Sequence, residues 1–337
     1  MNYQDGPHIF LKENDAIEII NFHHSSNDPI QFETDQGFFQ KGEYLLNYQD
    51  FPIKLKKNNA PAESLYPLTG KIAAIGDIHG EYDILIKLLV NNGIINHQFD
   101  WTWGKNHLVF CGDLFDRGTK VTECLWLIYY LEQEAAKAGG ELHYLLGNHE
   151  HMAMTADYRY LAKKYKKIYS NTSLDYADLF SQKTLLGQWL RMKNAVVKIG
   201  PYLFVHAGIS PALADLEYSV EKINNDLHQH LASNSNSDPD FVITGPQGPL
   251  WYRGYLIDWQ FTGKITDNEV DRIREFYQVK KIIFAHTNVP QIRSFCNQKL
   301  FAIDIPIEEE LDNAQALIIE DDNFYAADLN GKKILVP

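Results

Sequence analysis

Three features of the sequence predict an α/β fold. Short apolar strands alternate with helical stretches from Lys71 to Leu146. Three of those strands run straight into glycine followed by Asp or Asn. The C-terminal segment reads as antiparallel strands around an Asn330-Gly331 turn.

Residues 1–70 read as an N-terminal extension packed on the rest, with strand candidates at Ala16–Phe22 and Tyr44–Leu46 and a loop at Asn58–Pro61. Lys71–Ile75 is the first short apolar strand. Glu81–Asn91 carries apolar residues at helical spacing, Ile84, Leu85, Leu88 and Leu89. His107–Phe110 is the second strand. Val121–Ala138 is a second helix, stopped by Gly139-Gly140. Leu142–Leu146 is the third strand. Strands separated by helices pair in parallel, because the crossover must return the chain to the same end of the sheet.

Residues 156–195 read as mostly helical, Val196–Val205 as two strands around Gly200-Pro201, and Ala232–Asp240 as a polar loop. Lys281–Ala285 is another buried strand. Ala316–Ile319, Phe324–Ala327 and Lys333–Val336 complete the antiparallel tail. The main domain is therefore expected over residues 71–337.

Composition narrows the function. A net charge of −13 lacks the basic footprint of a nucleic-acid binder and disfavours an anionic membrane. Three cysteines, Cys111, Cys124 and Cys296, have no CxxC spacing, which argues against a disulfide framework and a zinc ribbon. No stretch reaches the ~18 apolar residues of a membrane span. The first residues carry no basic-then-apolar pattern, so a cytoplasmic protein is expected, or a periplasmic or secreted one if a leader is removed.

The informative pattern is the position of the polar residues. Gly76-Asp77-Ile78-His79-Gly80 follows the first strand, and Gly112-Asp113-Leu114-Phe115-Asp116-Arg117-Gly118 the second. Gly147-Asn148-His149-Glu150 follows the third; His206 and His286 each end a later strand. In open α/β sheets ligands bind beyond the carboxyl ends of strands. Asp77 and His79, two apart, point the same way in an extended chain. One such Asp or His is most simply a turn residue; the ordered set of five segments points to a shared site.

In that ordered set the chain resembles the calcineurin-like metallophosphoesterases, in the phosphoprotein phosphatase branch with GDxHG, GDxxDRG and GNHE. Asp5-Gly6-Pro7, Tyr158-Arg159-Tyr160 and Pro249-Leu250-Trp251-Tyr252-Arg253-Gly254 further resemble the bacterial Shewanella-like phosphatases. The resemblance implies a central β-sandwich of mixed sheets flanked by helices. It implies two divalent or trivalent metal ions: Asp77 and His79 hold one, Asp113 bridges both, and Asn148, His206 and His286 complete the second. Carboxylate, amide oxygen and imidazole together suit Mn, Fe or Zn. Such a pair outweighs the two ligand carboxylates, so an anionic substrate is compatible with an acidic chain.

The implied activity is hydrolysis of a phosphate monoester on a phosphorylated protein or peptide, on tyrosine and on serine or threonine, releasing inorganic phosphate after in-line attack. His149 would protonate the leaving oxygen, with Asp116 orienting it. Arg117 offers a planar fork for phosphate oxygens, and Arg253 a second clamp. Glu150 and His151 are expected to be structural, Arg159 is a weaker phosphate candidate, and Asp304 ends another strand. The pairs His23-His24 and His228/His230 read as surface features. Trp251, Tyr252, Tyr255 and Trp259, with Tyr158 and Tyr160, are either core or an aromatic wall for a phosphotyrosine ring. Two rival readings stand: a phosphodiesterase or dinucleoside polyphosphate hydrolase, and a catalytically silent phosphoprotein-binding module.

Overall fold

The computed structural model describes residues 3–24, 31–49, 51–57, 60–233, 242–307 and 310–337. Asn58 and Asn59 of the expected first loop, and residues 234–240 of the expected polar loop, lie outside them.

The N-terminal segment is richer in strands than its sequence advertises. β1 (Tyr3–Leu11), β2 (Ala16–His24) and β3 (Gln31–Phe38) form an antiparallel sheet, and β4 (Glu43–Tyr48) pairs with β5 (Phe51–Lys56). In β5 the odd positions Phe51, Ile53 and Leu55 are buried and the even ones exposed, the period of two expected of a half-buried strand. β1 escapes that reading because Asp5, Gly6, Pro7 and His8 interrupt its apolar pattern, although Asp5 and His8 are themselves buried.

β6 (Leu65–Tyr66) precedes the alternating region: β7 (Ile72–Ile75), α1 (Tyr82–Asn91), β8 (His107–Phe110), α2 (Val121–Ala138) and β9 (Glu141–Tyr144). β7, β8 and β9 pair in parallel, Ile72 opposite His107 opposite Glu141, as the alternation requires. α2 ends on Gly139 at φ 74°, a left-handed cap that suits glycine.

Residues 156–195 are less helical than expected. After α3 (Asn148–Met154) come only α4 (Lys163–Tyr169), a 3-10 turn at Tyr176–Phe180 and α5 (Leu185–Arg191). Hydroxyls compete with helix formation here: Thr172 donates to the Tyr169 carbonyl and Thr184 to the Ser181 carbonyl.

The remaining elements are β10 (Val196–Ile199), β11 (Tyr202–Val205), α6 (Pro211–Asp215), α7 (Val220–Ser233), α8 (Asp267–Tyr277), β12 (Lys281–Phe284), β13 (Arg293–Phe295), β14 (Leu300–Ala302), β15 (Gln315–Glu320), β16 (Asn323–Asp328) and β17 (Lys333–Leu335). They complete two six-stranded sheets, ordered β17-β16-β15-β7-β8-β9 and β13-β14-β12-β11-β10-β6. Both are mixed: β15 joins β7 antiparallel, while β11, β12 and β14 run parallel beside an antiparallel β10. α2 packs on β9 and α7 on β10, and one apolar core joins both sheets. This is an α/β fold of mixed sheets flanked by helices. No helix among the described residues is long and apolar enough to cross a membrane.

Candidate metal centre

The carboxyl ends of β7, β8, β9, β11 and β12 meet, and hydrogen bonds between the turns hold them together. The amides of Ile78 and His79 donate to the Asp113 carbonyl at 3.0 and 2.9 Å. Gly118 N donates to the His79 carbonyl at 2.8 Å, and Ala285 N to the His206 carbonyl at 2.7 Å. Glu150 is the interior clamp: its carboxylate accepts from the amides of Asp113, Leu114 and Gly147 at 2.6–2.8 Å. The close approach at Gly147 requires glycine, because a Cβ there would lie 2.1 Å from Asp113 Oδ1.

Five site residues other than glycine have left-handed backbones: His79 (φ 47°), Asp113 (54°), Asp116 (66°), Arg117 (60°) and His286 (64°). Such conformations cost energy and persist where the surroundings over-determine them. They also change how Asp77 and His79 come together. The chain is not extended through His79; the turn itself brings His79 Nε2 to 3.7 Å from Asp77 Oδ2.

The donor atoms then converge. His206 Nδ1 bonds the Cys111 carbonyl at 2.7 Å, which directs Nε2 into the site. That Nε2 lies 3.0 Å from Asn148 Oδ1, 3.1 Å from His286 Nδ1 and 3.3 Å from Asp113 Oδ2. His79 Nδ1 bonds the Phe115 carbonyl at 2.7 Å, and its buried Nε2 has no hydrogen-bond partner. The buried His286 Nε2 has none either. Carbonyl-anchored imidazoles with their other nitrogens aimed at carboxylate and amide oxygens are a metal-ligand arrangement. Two groups, His79 with Asp113 and His149, and Asp113 with His206 and His286, have atoms close enough to hold an ion, and Asp113 is common to both. The residues present therefore fit a metal pair. His149 stands in the first group by proximity, its Nε2 being 3.8 Å from Asp113 Oδ2.

Electrostatics point the same way. Burial, Asp304 and Asp113 push the Asp77 carboxyl well above the usual range. Burial also opposes a charge on Asp113, yet His206 and His149 hold its carboxyl well below that range. Burial opposes a charge on His206, and Asp113 outweighs it, so the imidazole pKa rises. A buried group of carboxylates is stabilised by positive charge, from a proton or a cation.

His149 lies in the first turn of α3 and pairs with Asp116, Nδ1 to Oδ2, at 2.7 Å. Burial lowers its pKa, but Asp113 and the Asp116 hydrogen bond raise it further, for a net rise. Arg253 is half-buried, its Nη1 3.4 Å from the His286 carbonyl, and its charge acts on Asp304, Asp77 and Asp113. Arg117 is exposed and acts on Asp77 and His79. Arg159 is instead held by Asp157 through Nε and Nη2.

Other expectations divide. Tyr252 and Tyr255 are core residues. Trp251 meets His286 edge-on at 5.8 Å, and the exposed Tyr160 lies 5.1 Å from His149, ring to ring. His228 and His230 are not surface features. Both are half-buried: His228 Nε2 bonds the Lys193 carbonyl at 3.0 Å, and His230 Nε2 lies 3.3 Å from His151 Nε2. Sequence spacing missed these partners because the contacts are long-range. It also gave Asp304 no partner; the structure places it on Asn288 Nδ2 at 3.1 Å and beside Asp77.

Fold and site together define a phosphoester hydrolase. The chain belongs to the calcineurin-like phosphoesterases, whose family model matches residues 70–290. It is 30% identical to an uncharacterized protein of Schizosaccharomyces pombe, over 74% of this chain and 76% of that one. It is 27% identical to Shewanella-like protein phosphatase 1 of Plasmodium berghei, over 70% of this chain and 66% of that one. Among solved structures it is similar to the cold-active protein-tyrosine phosphatase of a psychrophilic Shewanella species, with a TM-score of 0.85 and 28% identity over 99% of each chain.

Proposed function

We propose that this chain is a protein phosphatase that uses two metal ions to hydrolyse a phosphate monoester on a phosphorylated protein or peptide, releasing inorganic phosphate. The observation that carries this reading is the convergence of Asp113, Asn148, His206 and His286 beside the His149–Asp116 pair. The likeness to the Shewanella tyrosine phosphatase over nearly the whole chain favours phosphotyrosine first, then phosphoserine and phosphothreonine.

Asp77 and His79 would hold one ion, Asp113 would bridge, and Asn148, His206 and His286 would hold the other. The donor set suits Mn, Fe or Zn. When bound, such a pair activates water and neutralises phosphoryl oxygens. The chain supplies the rest. Arg117 and Arg253 draw the phosphate to the acidic cluster and orient it. Asp116 accepts from Nδ1–H of the His149 imidazolium, which leaves Nε2–H as the proton given to the leaving oxygen and the ring neutral on Nε2 afterwards. Against the effect of burial, Asp113 and the Asp116 hydrogen bond favour the protonated ring and raise its pKa. Glu150 holds the Asp113 turn through backbone amides. Residues 71–337 form the catalytic unit, with 1–70 as an extension on it.

The test is a comparison of p-nitrophenyl phosphate with bis-p-nitrophenyl phosphate on metal-defined protein, followed by phosphotyrosine and phosphoserine peptides. Faster monoester turnover supports the reading. Preference for the diester favours a phosphodiesterase, and no turnover on any ester favours a silent binding module.

A further inference from the structure

Asp5 lies in β1 with a buried side chain and an unusual number of partners for a carboxylate outside the site. One oxygen accepts from Thr122 Oγ1 at 2.6 Å and lies 3.9 Å from Lys164 Nζ. The other accepts from the Tyr169 hydroxyl at 2.5 Å and pairs with His8 Nε2 at 3.0 Å. Burial opposes the charge, yet His8 and Lys164 hold the Asp5 carboxyl well below the usual range. The partners come from three elements: His8 from β1, Thr122 from α2, and Lys164 and Tyr169 from α4.

Those partners lead to the site. Lys164 Nζ donates to the Thr119 carbonyl at 2.7 Å. The neighbouring Tyr165 hydroxyl donates to that same carbonyl at 3.1 Å and accepts from Val121 N at 2.8 Å. Thr119 follows Asp116-Arg117-Gly118 directly. Asp116 and Arg117 are adjacent residues with left-handed backbones, a shape that costs residues other than glycine conformational energy. Several bonds restrain the loop: Arg117 N donates to the Tyr160 carbonyl at 3.1 Å, Gly118 N to the His79 carbonyl at 2.8 Å and Lys120 N to the Gly80 carbonyl at 3.2 Å, and His79 Nδ1 bonds the Phe115 carbonyl at 2.7 Å. On its C-terminal side α4 adds the clamp on Thr119.

We propose that Asp5 is a positioning residue for the acid pair: it seats α4 against α2 through Lys164, Tyr169 and Thr122, and α4 in turn clamps the strained loop that keeps Asp116 on His149. The N-terminal extension is then part of the machinery that orients the general acid. This rests on the reading of His149 as that acid. A purely structural Asp5 would cost stability, or lower activity equally on every substrate.

The experiment exploits leaving-group dependence. p-Nitrophenolate leaves without a proton far more readily than phenolate, so misorienting the acid penalises phenyl phosphate more. Wild type, Asp5→Asn, Lys164→Met and His149→Ala are loaded to equal metal content, checked for folding by circular dichroism, and assayed on both substrates. For Asp5→Asn the ratio of kcat on p-nitrophenyl phosphate to kcat on phenyl phosphate rises by about tenfold, a part of the 10²–10⁴ that general acid work supplies. Folded Asp5→Asn with an unchanged ratio overturns the proposal. If Asp5→Asn does not fold, Lys164→Met decides in the same way, since it releases the Thr119 clamp and leaves Asp5 with three partners. A His149→Ala ratio equal to wild type overturns the acid reading and this proposal with it. A raised ratio in His149→Ala alone overturns only the role of Asp5.

Discussion

His149 Nδ1 and Asp116 Oδ2 lie 2.7 Å apart, joining the first turn of a helix to a left-handed loop residue 33 positions earlier. Both side chains are almost fully buried, so the carboxylate cannot be replaced by water without moving the loop.

The first prediction follows from that contact. His149→Ala lowers kcat by about 10²–10⁴-fold on a poor leaving group while metal content stays, measured by steady-state kinetics with elemental analysis. Asp116→Asn removes a negative neighbour and so lowers the His149 pKa. The decline of kcat at high pH, where the acid has lost its proton, then begins at a lower pH than in wild type. An unmoved limb would detach Asp116 from the acid.

Arg253 sits against the His286 carbonyl and acts on three carboxylates. Arg253→Ala raises KM about tenfold and weakens inhibition by inorganic phosphate, with the smaller effect on kcat, as for a group that binds ground state and transition state alike. No change in either constant would make it a packing residue.

A third prediction concerns stability far from the metal centre. His143 Nε2 lies 3.0 Å from His107 Nδ1, and burial, helped by His107 and Lys193, pushes the His143 pKa down to about 3. The unfolded chain, with a pKa near 6.5, binds more protons between about pH 3 and 6.5. Stability from this group is therefore complete above about 6.5 and falls as pH drops through that window, by roughly 2 kcal/mol at pH 5. His143→Gln removes this titration, so its melting temperature falls less than that of wild type between pH 7 and 5. The metal ligands titrate in both proteins, so the difference reports the buried His143–His107 pair. Equal falls would contradict the burial argument.

The site was legible in the sequence because each proposed ligand lies just beyond an apolar strand, and such strands must run side by side into the core. The parallel order of β7, β8 and β9 follows from the helices between them, so the turns share one end. The position of His206 and His286 on a second sheet was not legible, since strand sequence does not say which sheet a strand joins. Glu150 revealed nothing of its amide contacts, because backbone amides carry no sequence signature. β1 stayed hidden for a related reason: Asp5 and His8 look like surface residues until each other, Thr122, Lys164 and Tyr169 are counted as partners. The pairing of His151 with His230 spans 79 residues, beyond the reach of any local pattern.

Asp113 is common to both candidate ligand groups, and metal stoichiometry is the direct measure of that position. Wild type and Asp113→Asn, stripped with chelator, reloaded with Mn and analysed for bound metal, should differ sharply: about two ions per chain in wild type and well under one in the variant. Full occupancy in the variant, or no bound metal in folded wild type, would contradict the metal pair from which the rest of the chemistry follows.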